Sequence, residues 1–353
     1  MRIALDSTPL AHAGRIGGLA RYTSQLVATL AREFPEDEFI LVSDQPFEMP
    51  ATAPNLCRGN PPRNALERRW WTVGLSRELR RQSADVFHGV NFSVPFPSTI
   101  PAVLTIADLS PWATGAWVDD AWRARSARVR KRLPWLIRSG AARHIITLSE
   151  AVRAEIIRFF RLDPARVTAI PLAAAESFCP QPSGPQVRPY FLYAGMWEPR
   201  KNVDALIAAW SAIRASFDVD LVIAGPRREE IPLPPACPGL LLRGEVSEDE
   251  LAALYSGAVA LLYPSHYEGF GLPVLEAMQC GAPVIISRDP ALVETAGGAG
   301  LITENICEAM RALLENPQLR AQMQARSLAR AATFSWAQTA RSTHQIYRSM
   351  LTT

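Results

Sequence analysis

The sequence predicts an α/β protein with two doubly wound parallel sheets, and three observations lead to this fold class. Short apolar runs alternate with longer segments of helical periodicity along most of the chain, which is the pattern of repeated β–α–β units. A proline-rich break interrupts this alternation near the middle. The length of 353 residues suits about two domains, because single domains usually hold about 100–200 residues.

The first half of the chain contains the elements of one such sheet. Apolar runs of strand length are separated by segments in which apolar residues recur at helical spacing. Ser149 begins the last of these helical segments and is a typical N-cap residue. The predicted strands are 2–7, 38–43, 85–90, 102–109, 144–149 and 167–172, and the predicted helices are 18–33, 64–82, 118–138 and 149–160.

The composition changes between residues 173 and 189, where four prolines and a glycine fall within 17 residues. Such a stretch predicts a linker, and we place it at 176–189, between domains of residues 1–175 and 190–335. The alternation then restarts. Its predicted strands are 190–195, 220–225, 239–246, 259–264 and 283–287, and its predicted helices are 202–215, 247–257, 272–280, 305–315, 317–332 and 335–350.

Composition and charge exclude several classes of protein. With 48% apolar and 20% charged residues, the chain is neither disordered nor fibrous. No stretch approaches the ~20 apolar residues of a membrane span, and the first residues lack the pattern of a signal peptide, so we expect a cytoplasmic protein. Residues 1–170 carry a net charge of +7 and the remainder −4.

Arginine-rich stretches at 68–81 and 123–132 account for much of the positive charge. They are either solvated faces or a peripheral contact with the anionic inner face of a membrane. Nucleic acid is a poorer fit as a partner, because no recognition motif is present and the second half is acidic.

The densest functional signal is the segment 265–278, SHYEGFGLPVLEAM, between a predicted strand and a predicted helix. Gly269 and Gly271 allow the backbone to approach a ligand closely, and the free amides at the start of the helix favour a phosphate. Glu276 lies about one turn into the helix, where its carboxylate can accept two hydrogen bonds from a diol such as a ribose. An ordinary capped turn is the alternative interpretation.

A second signal, GMWEPRKN at 195–202, opens the first helix of the second half. Arg200 and Lys201 are adjacent cations at a helix start, where they oppose the helix dipole unless an anion is bound. A diphosphate would satisfy both of them, whereas a solvated basic turn would need no ligand.

A third signal is the glycine-rich loop GRIGG at 14–18, after the first predicted strand. It lacks the GxGxxG spacing, so a dinucleotide-binding fold of the usual kind is not supported. Gly17 and Gly18 would let the backbone approach a phosphate or a sugar, or would simply form a flexible turn.

These segments resemble the retaining glycosyltransferases of family 4, which have the GT-B fold. The resemblance rests on Glu198-Pro199-Arg200-Lys201-Asn202 and on Glu268 and Glu276 with seven residues between them, and it extends over nearly the whole chain. It implies two Rossmann-like domains facing a central cleft, with a closing helix at 336–353 that crosses back to the N-terminal domain. The first domain would be the acceptor side, and the second would bind a sugar nucleotide.

The resemblance also implies roles for the matched residues. Arg200 and Lys201 would hold the diphosphate, Glu276 would hold the ribose, and Glu268 would position the transferred sugar rather than act as a covalent nucleophile. The catalytic candidates are Glu268, Arg200 and Lys201, and the substrate-binding candidates are Gly17, Gly18, His88, Asp108, Gly195, Val246, Gly269, Phe270, Gly271, Leu272 and Glu276. No metal or other cofactor is expected, because cations and a helix end can stabilise the leaving diphosphate.

One departure from the family pattern concerns Ala107, which precedes Asp108 and stands where a histidine is usual. In the family that histidine commonly faces the donor sugar near its primary alcohol. Either the donor lacks a 6-hydroxyl group, or another group such as His88 or His12 substitutes, or the protein is a weak catalyst. His88 ends a predicted strand, where a purely structural role is equally consistent with the sequence.

The Glu-Pro-Arg-Lys-Asn turn is similar to that of bacterial mannosyltransferases that build surface polysaccharide. We therefore expect transfer of a hexose, with mannose from GDP-mannose as the first choice, to a glycan or lipid-linked acceptor. The alternatives are a 6-deoxy, pentosyl or UDP-sugar donor, a sugar-nucleotide-binding protein without transfer activity, and an epimerase.

Overall fold

The computed structural model describes residues 1–12, 18–90, 92–182 and 188–352, and the chain divides into two compact units. The first unit comprises Met1–Trp112, Asp120–Leu172 and Ser335–Thr353, and the second comprises Ala113–Asp119 and Ala173–Phe334. Each unit contains one parallel sheet with helices between its strands, which is the predicted α/β class.

Seven parallel strands form the sheet in the described part of the first unit. They are β1 (Arg2–Asp6), β2 (Glu38–Val42), β3 (Leu56–Arg58), β4 (Val86–Gly89), β5 (Ala102–Ile106), β6 (His144–Thr147) and β7 (Val167–Ala169). Their order is β3-β2-β1-β4-β5-β6-β7. The inner strands β4, β5 and β6 are buried at every position, as expected for a parallel sheet covered by helices on both faces.

Four helices lie between these strands, namely α1 (Gly18–Glu33), α2 (Leu75–Arg81), α3 (Asp120–Arg138) and α4 (Glu150–Phe160). Ser149 caps α4 as predicted, because its side chain accepts a hydrogen bond from the Val152 amide. The predicted helix over 64–82 is confirmed over 70–81, but it begins six residues late and its first turn, Trp70–Gly74, is π-helical before α2. Only glycine fits at position 74, because a Cβ atom there would lie 2.0 Å from the Glu67 carbonyl oxygen.

Six parallel strands form the sheet in the described part of the second unit. The elements are β8 (Tyr190–Ala194), α5 (Val203–Ile213), β9 (Asp220–Ala224), β10 (Leu240–Gly244), α6 (Glu248–Gly257), β11 (Ala260–Tyr263), α7 (Leu272–Gln279), β12 (Val284–Ile286), α8 (Pro290–Ala296), β13 (Leu301–Ile302), α9 (Ile306–Glu315) and α10 (Pro317–Ala331). The strand order is β10-β9-β8-β11-β12-β13. Among the strands and α-helices of the described residues, β3, α8 and β13 were not predicted, because their two to seven residues show no clear periodicity.

The last helix, α11 (Trp336–Leu351), belongs to the first unit. Its Thr339 hydroxyl donates to the Pro171 carbonyl (2.7 Å), and Arg341 donates to Glu33 at the end of α1 (2.6 Å). His344 stacks on Phe34, with 3.6 Å between the ring centroids. These contacts fix the final helix to the amino-terminal half of the chain.

Part of the proline-rich segment that composition assigns to a linker packs within the second unit. The side-chain amide of Gln279 donates from Nε2 to the backbone carbonyl oxygens of Ala175 (2.8 Å) and Phe178 (2.7 Å). Phe178 is fully buried, and its ring lies 5.9 Å from that of Tyr255. Prolines at 180 and beyond give the segment its linker composition, whereas Ala173, Ala174, Ala175 and Phe178 before them are buried.

Candidate functional site

The candidate site lies at the carboxyl edge of the second sheet. Strands β8 and β11 are neighbours, and the carboxyl ends of adjacent parallel strands meet at one edge. The loop after β8 and the loop after β11 therefore converge, and the His266 amide donates to the Arg200 carbonyl (2.9 Å). This places the two strongest sequence signals side by side.

Four charged side chains from these loops form one cluster, and three of them, Glu198, Lys201 and Glu268, are buried. Lys201 donates from Nζ to Glu268 Oε1 (2.5 Å) and to the Tyr263 hydroxyl (2.7 Å). Arg200 donates from Nη1 to Glu268 Oε2 (3.2 Å) and from Nη2 to Glu198 Oε1 (2.8 Å). The side chains of Glu198, Lys201 and Glu268 are at most 9% exposed. Their charges are therefore stabilised by ion pairs within the cluster rather than by water.

The two cations do not stand in the first turn of a helix, which the sequence suggested. They lie in a 3₁₀ turn at Pro199–Lys201, and α5 begins after Asn202, whose backbone is left-handed (φ 56°). The anions that pair with them are carboxylates of the protein itself. A ligand diphosphate would therefore enter a site whose cations are already paired.

Burial and charge act in opposite directions on the acids of the cluster. Burial would raise the pKa of Glu268, but the charges of Lys201 and Arg200 outweigh it and hold this pKa below its ordinary value. The same balance lowers the pKa of Glu198. Burial also lowers the pKa of Lys201, with Arg200 adding to the effect. The low pKa values keep both carboxylates ionised at neutral pH.

The segment between the cluster and α7 is closely packed within the second unit. Gly269 and Gly271 are buried, and Gly271 has φ 94°, with a hypothetical Cβ only 2.5 Å from Leu292. Phe270 and Leu272 are 5% and 8% exposed. Asp289 caps α8 and also accepts a hydrogen bond from the Glu268 amide (3.1 Å). Burial raises the pKa of Asp289 to about 6.

Glu276 lies in the second turn of α7, and its side chain is fully buried. Its Oε2 accepts a hydrogen bond from the Tyr255 hydroxyl (3.2 Å). Val246 is half-buried in the loop between β10 and α6, and Gly195 directly follows β8. The segments around Glu276 and Tyr255, which the sequence separates by 20 residues, are thus joined by a side-chain contact.

His88 lies in the interior of the first unit. This residue is fully buried, its Nδ1 lies 2.6 Å from the Tyr347 hydroxyl, and its Nε2 lies 2.7 Å from the Thr105 hydroxyl. Burial lowers the pKa of His88 to about 3, so the ring is neutral. Both ring nitrogens are engaged inside the unit, an arrangement that favours the structural role for His88 over contact with a sugar.

The other candidates of the first unit lie near the same sheet edge. Asp108 is half-buried after β5 and accepts a hydrogen bond from the Ser110 amide (2.9 Å). Ala107 is half-buried beside it. Gly18 is the first residue of α1, whereas Gly17 and the side chain of His12 lie outside the described residues.

Sequence reasoning gave no role to Glu198, a member of the charged cluster, or to Arg228, which pairs with it. The sequence presents Glu198 only as part of a motif. An acid two residues before an Arg-Lys pair is nevertheless a signal for an ion pair within the turn. Arg228 donates from Nε (3.1 Å) and Nη2 (2.9 Å) to Glu198 Oε2. It follows β9, and only the adjacency of β8 and β9 brings it to Glu198.

Within the described ranges, no helix has the length and hydropathy needed to span a bilayer. The same residues contain no group of three or more histidine, cysteine, aspartate or glutamate side chains arranged to hold a metal ion.

Two family models match most of the chain. Residues 188–316 match "Glycosyl transferases group 1", and residues 16–178 match "Glycosyltransferase Family 4". O-antigen chain mannosyltransferase B of Escherichia coli is 32% identical over 284 residues, which are 73% of this chain and 72% of that protein. Serotype-specific mannosyltransferase WbdA of Escherichia coli is 31% identical over 223 residues, which are 56% of this chain but 27% of WbdA.

Solved structures share the fold at low identity. Sucrose-phosphate synthase from Thermosynechococcus elongatus has a TM-score of 0.76 at 20% identity, with 100% of this chain and 99% of that chain covered. WaaG, a glycosyltransferase involved in lipopolysaccharide biosynthesis, has a TM-score of 0.66 at 16% identity, with 98% and 99% covered. The two parallel-sheet units have the GT-B fold of these structures. The chain belongs to the family 4 glycosyltransferases and is a transferase.

Proposed function

We propose that the protein transfers a hexose from a sugar nucleotide, with mannose from GDP-mannose as the first choice, to a glycan or lipid-linked acceptor in the synthesis of a surface polysaccharide. The observation that carries this proposal is the buried contact of Arg200 and Lys201 with Glu268 at the carboxyl edge of the second sheet. The names of the relatives, which include O-antigen mannosyltransferases, support the choice of mannose.

Each candidate residue of the second unit has a role in this proposal. Arg200 and Lys201 hold the diphosphate, and the amides of Gly269, Phe270 and Gly271 hold its other side. Glu268 then exchanges one of its cation contacts for hydroxyls of the sugar. Glu276 accepts hydrogen bonds from the ribose, and main-chain groups near Gly195, Val246 and Leu272 border the nucleotide.

The proposed chemistry retains the anomeric configuration. The bond between C1 of the sugar and the diphosphate oxygen breaks, and the diphosphate keeps the electron pair. The acceptor hydroxyl forms the new bond to C1 on the same face and passes its proton to the departing phosphate. Positioned cations and amides stabilise the charge that develops on the diphosphate, so the proposal requires no metal ion.

Ala107 favours a second donor class. A histidine at this position would face the primary alcohol of the sugar if the family arrangement held, and alanine cannot donate a hydrogen bond there. His88 cannot replace it, because both of its ring nitrogens are engaged. A 6-deoxyhexose or pentose donor would need no such contact and is therefore the second candidate, with GDP or UDP as the carrier.

We further propose that the first unit contacts an anionic membrane surface peripherally from the cytoplasmic side. Helix α3 exposes Arg123, Arg125, Arg128, Arg130 and Lys131. Trp135 and Phe159 are 47% and 49% exposed, and aromatic side chains partition into the membrane interface. Wild-type protein should float with vesicles that contain phosphatidylglycerol and not with pure phosphatidylcholine. Failure to bind either would contradict the proposal.

The donor is tested by a thermal-shift panel of sugar nucleotides, because a ligand that binds only the folded state raises its melting temperature. Transfer, hydrolysis or interconversion of the best ligand then separates a transferase from an epimerase, and binding without turnover indicates an inactive relative. Calorimetry with GDP and UDP should show that Lys201→Ala and Glu276→Ala each weaken binding by about 1–3 kcal/mol.

The matched control is Lys131→Ala, which removes the other lysine of the chain from the exposed surface of α3. Its affinity for nucleotides should equal that of the wild type. Wild-type affinity of both Lys201→Ala and Glu276→Ala would overturn the assignment of the site.

A further inference from the structure

We propose that Glu198 is a positioning residue of the transfer reaction, which holds Arg200 in the orientation that the departing diphosphate requires. The inference rests on the proposed function, because it assumes that Arg200 faces the diphosphate. Glu198 itself contacts no ligand in this proposal. It acts through Arg200, and Arg228 holds it in place.

The carboxylate of Glu198 is shared between two guanidinium groups. Its Oε1 accepts from Nε (3.2 Å) and Nη2 (2.8 Å) of Arg200, and its Oε2 accepts from Nε (3.1 Å) and Nη2 (2.9 Å) of Arg228. A carboxylate that engages two donors of one guanidinium fixes the plane of that group as well as its distance. The Nη1 of Arg200 is thereby directed to the Tyr267 carbonyl (2.7 Å) and to Glu268.

The backbone holds this pair of loops together. The Trp197 amide donates to the Pro226 carbonyl (2.8 Å), and the Arg228 amide donates to the Trp197 carbonyl (3.2 Å). These bonds continue the pairing of β8 and β9 beyond the ends of both strands. Arg228 therefore reaches Glu198 from a fixed position, and its side chain is only 28% exposed.

Glu198 is not a capping residue, although its position in the sequence suggests that role. It stands at the N-cap of the 3₁₀ turn that carries Arg200 and Lys201, yet its side chain makes no capping hydrogen bond. The side chain is 7% exposed, so burying its charge costs free energy that the arginines must offset. A buried carboxylate that is bonded to two arginines does not serve solubility, and its contacts point to a role in holding those arginines.

Electrostatics and positioning predict opposite effects for removal of this acid. Arg200, Lys201 and Arg228 pair with two carboxylates, Glu198 and Glu268. If Glu198 acted only through its charge, Glu198→Gln would make the site more positive. The protein would then bind a diphosphate more tightly, and the bond between the sugar and the diphosphate would break more readily. If Glu198 positions Arg200, the variant keeps the nucleotide but loses turnover, because a misplaced cation stabilises the transition state less well.

The experiment measures donor turnover and GDP binding in the wild type, Glu198→Gln and Glu229→Gln. Glu229 is exposed on the loop that carries Arg228, so its variant removes the same charge without touching Arg200. We expect kcat of Glu198→Gln to fall about tenfold or more, while its GDP dissociation constant stays within about threefold of the wild-type value. Glu229→Gln should match the wild type in both quantities.

A kcat of Glu198→Gln within about twofold of the wild type would overturn the inference. A loss carried entirely by KM would overturn it too, because the residue would then serve ground-state binding. If Glu198→Gln fails to fold, Glu198→Asp keeps the charge on a shorter side chain, and its kcat should still fall. A wild type that turns over no sugar nucleotide refutes the proposed function, whereas an active wild type with an equally active Glu198→Gln refutes only the role of Glu198.

Discussion

His88 provides a test of the interior of the first unit. It occupies the centre of a hydrogen-bond chain in which the Tyr22 hydroxyl contacts Thr105 (3.0 Å), Thr105 contacts His88, and His88 contacts the Tyr347 hydroxyl. Burial lowers its pKa from 6.5 to about 3. Below pH 6.5 the His88 ring binds a proton in the unfolded chain but not in the folded one. The free energy of unfolding therefore decreases as the pH is lowered from 6.5 to about 3.

The size of the effect follows from this window. Each pH unit below 6.5 costs about 1.4 kcal/mol, so the wild type should lose about 2 kcal/mol from this residue between pH 7.5 and pH 5. The variant His88→Gln cannot titrate, and it leaves a hydroxyl without a partner at a cost of about 1–3 kcal/mol. The wild type should therefore be more stable at pH 7.5, and the difference should shrink by about 2 kcal/mol at pH 5.

The assay is urea unfolding at both pH values, followed by hydrogen exchange in peptides from β1 and β4, because two units need not unfold in one step. Tyr347→Phe is the matched control, since it removes the same hydrogen bond but keeps the buried imidazole. Its pH dependence should follow the wild type. A difference between wild type and His88→Gln that is the same at both pH values would refute the reasoning.

Two further predictions concern the second unit. Gly271→Ala should lower the free energy of unfolding by about 1–3 kcal/mol and weaken GDP binding, because φ is 94° and the new methyl would meet Leu292. Gly298→Ala, with φ 80° but no atom within 4 Å, should cost less in thermal denaturation, and equal losses would contradict the steric argument. For Asp289, whose pKa is raised from 3.8 to about 6, the folded state holds a proton that the unfolded state releases, so stability should fall as pH rises through this range. Between pH 5 and pH 7 the loss should be about 1.4 kcal/mol, and Asp289→Asn should abolish it in urea unfolding; a wild-type slope in the variant would disprove the assignment.

The regular elements were largely predictable, because each is encoded by local periodicity. The inner strands β4, β5 and β6 are continuous apolar runs, and α4 begins at the serine that marks its cap. The π-helical turn before α2 was not predictable, because it depends on the packing of Gly74 against Glu67. Short elements at the sheet edges, such as β3 and β13, exist mainly through pairing with a longer neighbour.

The charged residues of the candidate site were found from motifs, but the partner of each charge was not. Arg200 and Lys201 pair with Glu268, 68 and 67 residues away, because β8 and β11 are neighbours in the sheet. Glu198 pairs with Arg228 because β8 is also next to β9. His88 appeared to be a candidate ligand because a sequence does not show whether its ring nitrogens are already bonded.

The sequence by itself determined the α/β class, most of the helices and strands, and the residue types that suit a diphosphate and a sugar. The tertiary structure decided which charges neutralise one another, which carboxylate is shared between two arginines, and which histidine is sealed inside the core. The physical reason is one of distance. Periodicity and capping act over a few residues of chain, whereas ion pairing and desolvation act over a few ångströms of space, and the order of the strands sets which distant residues share that space.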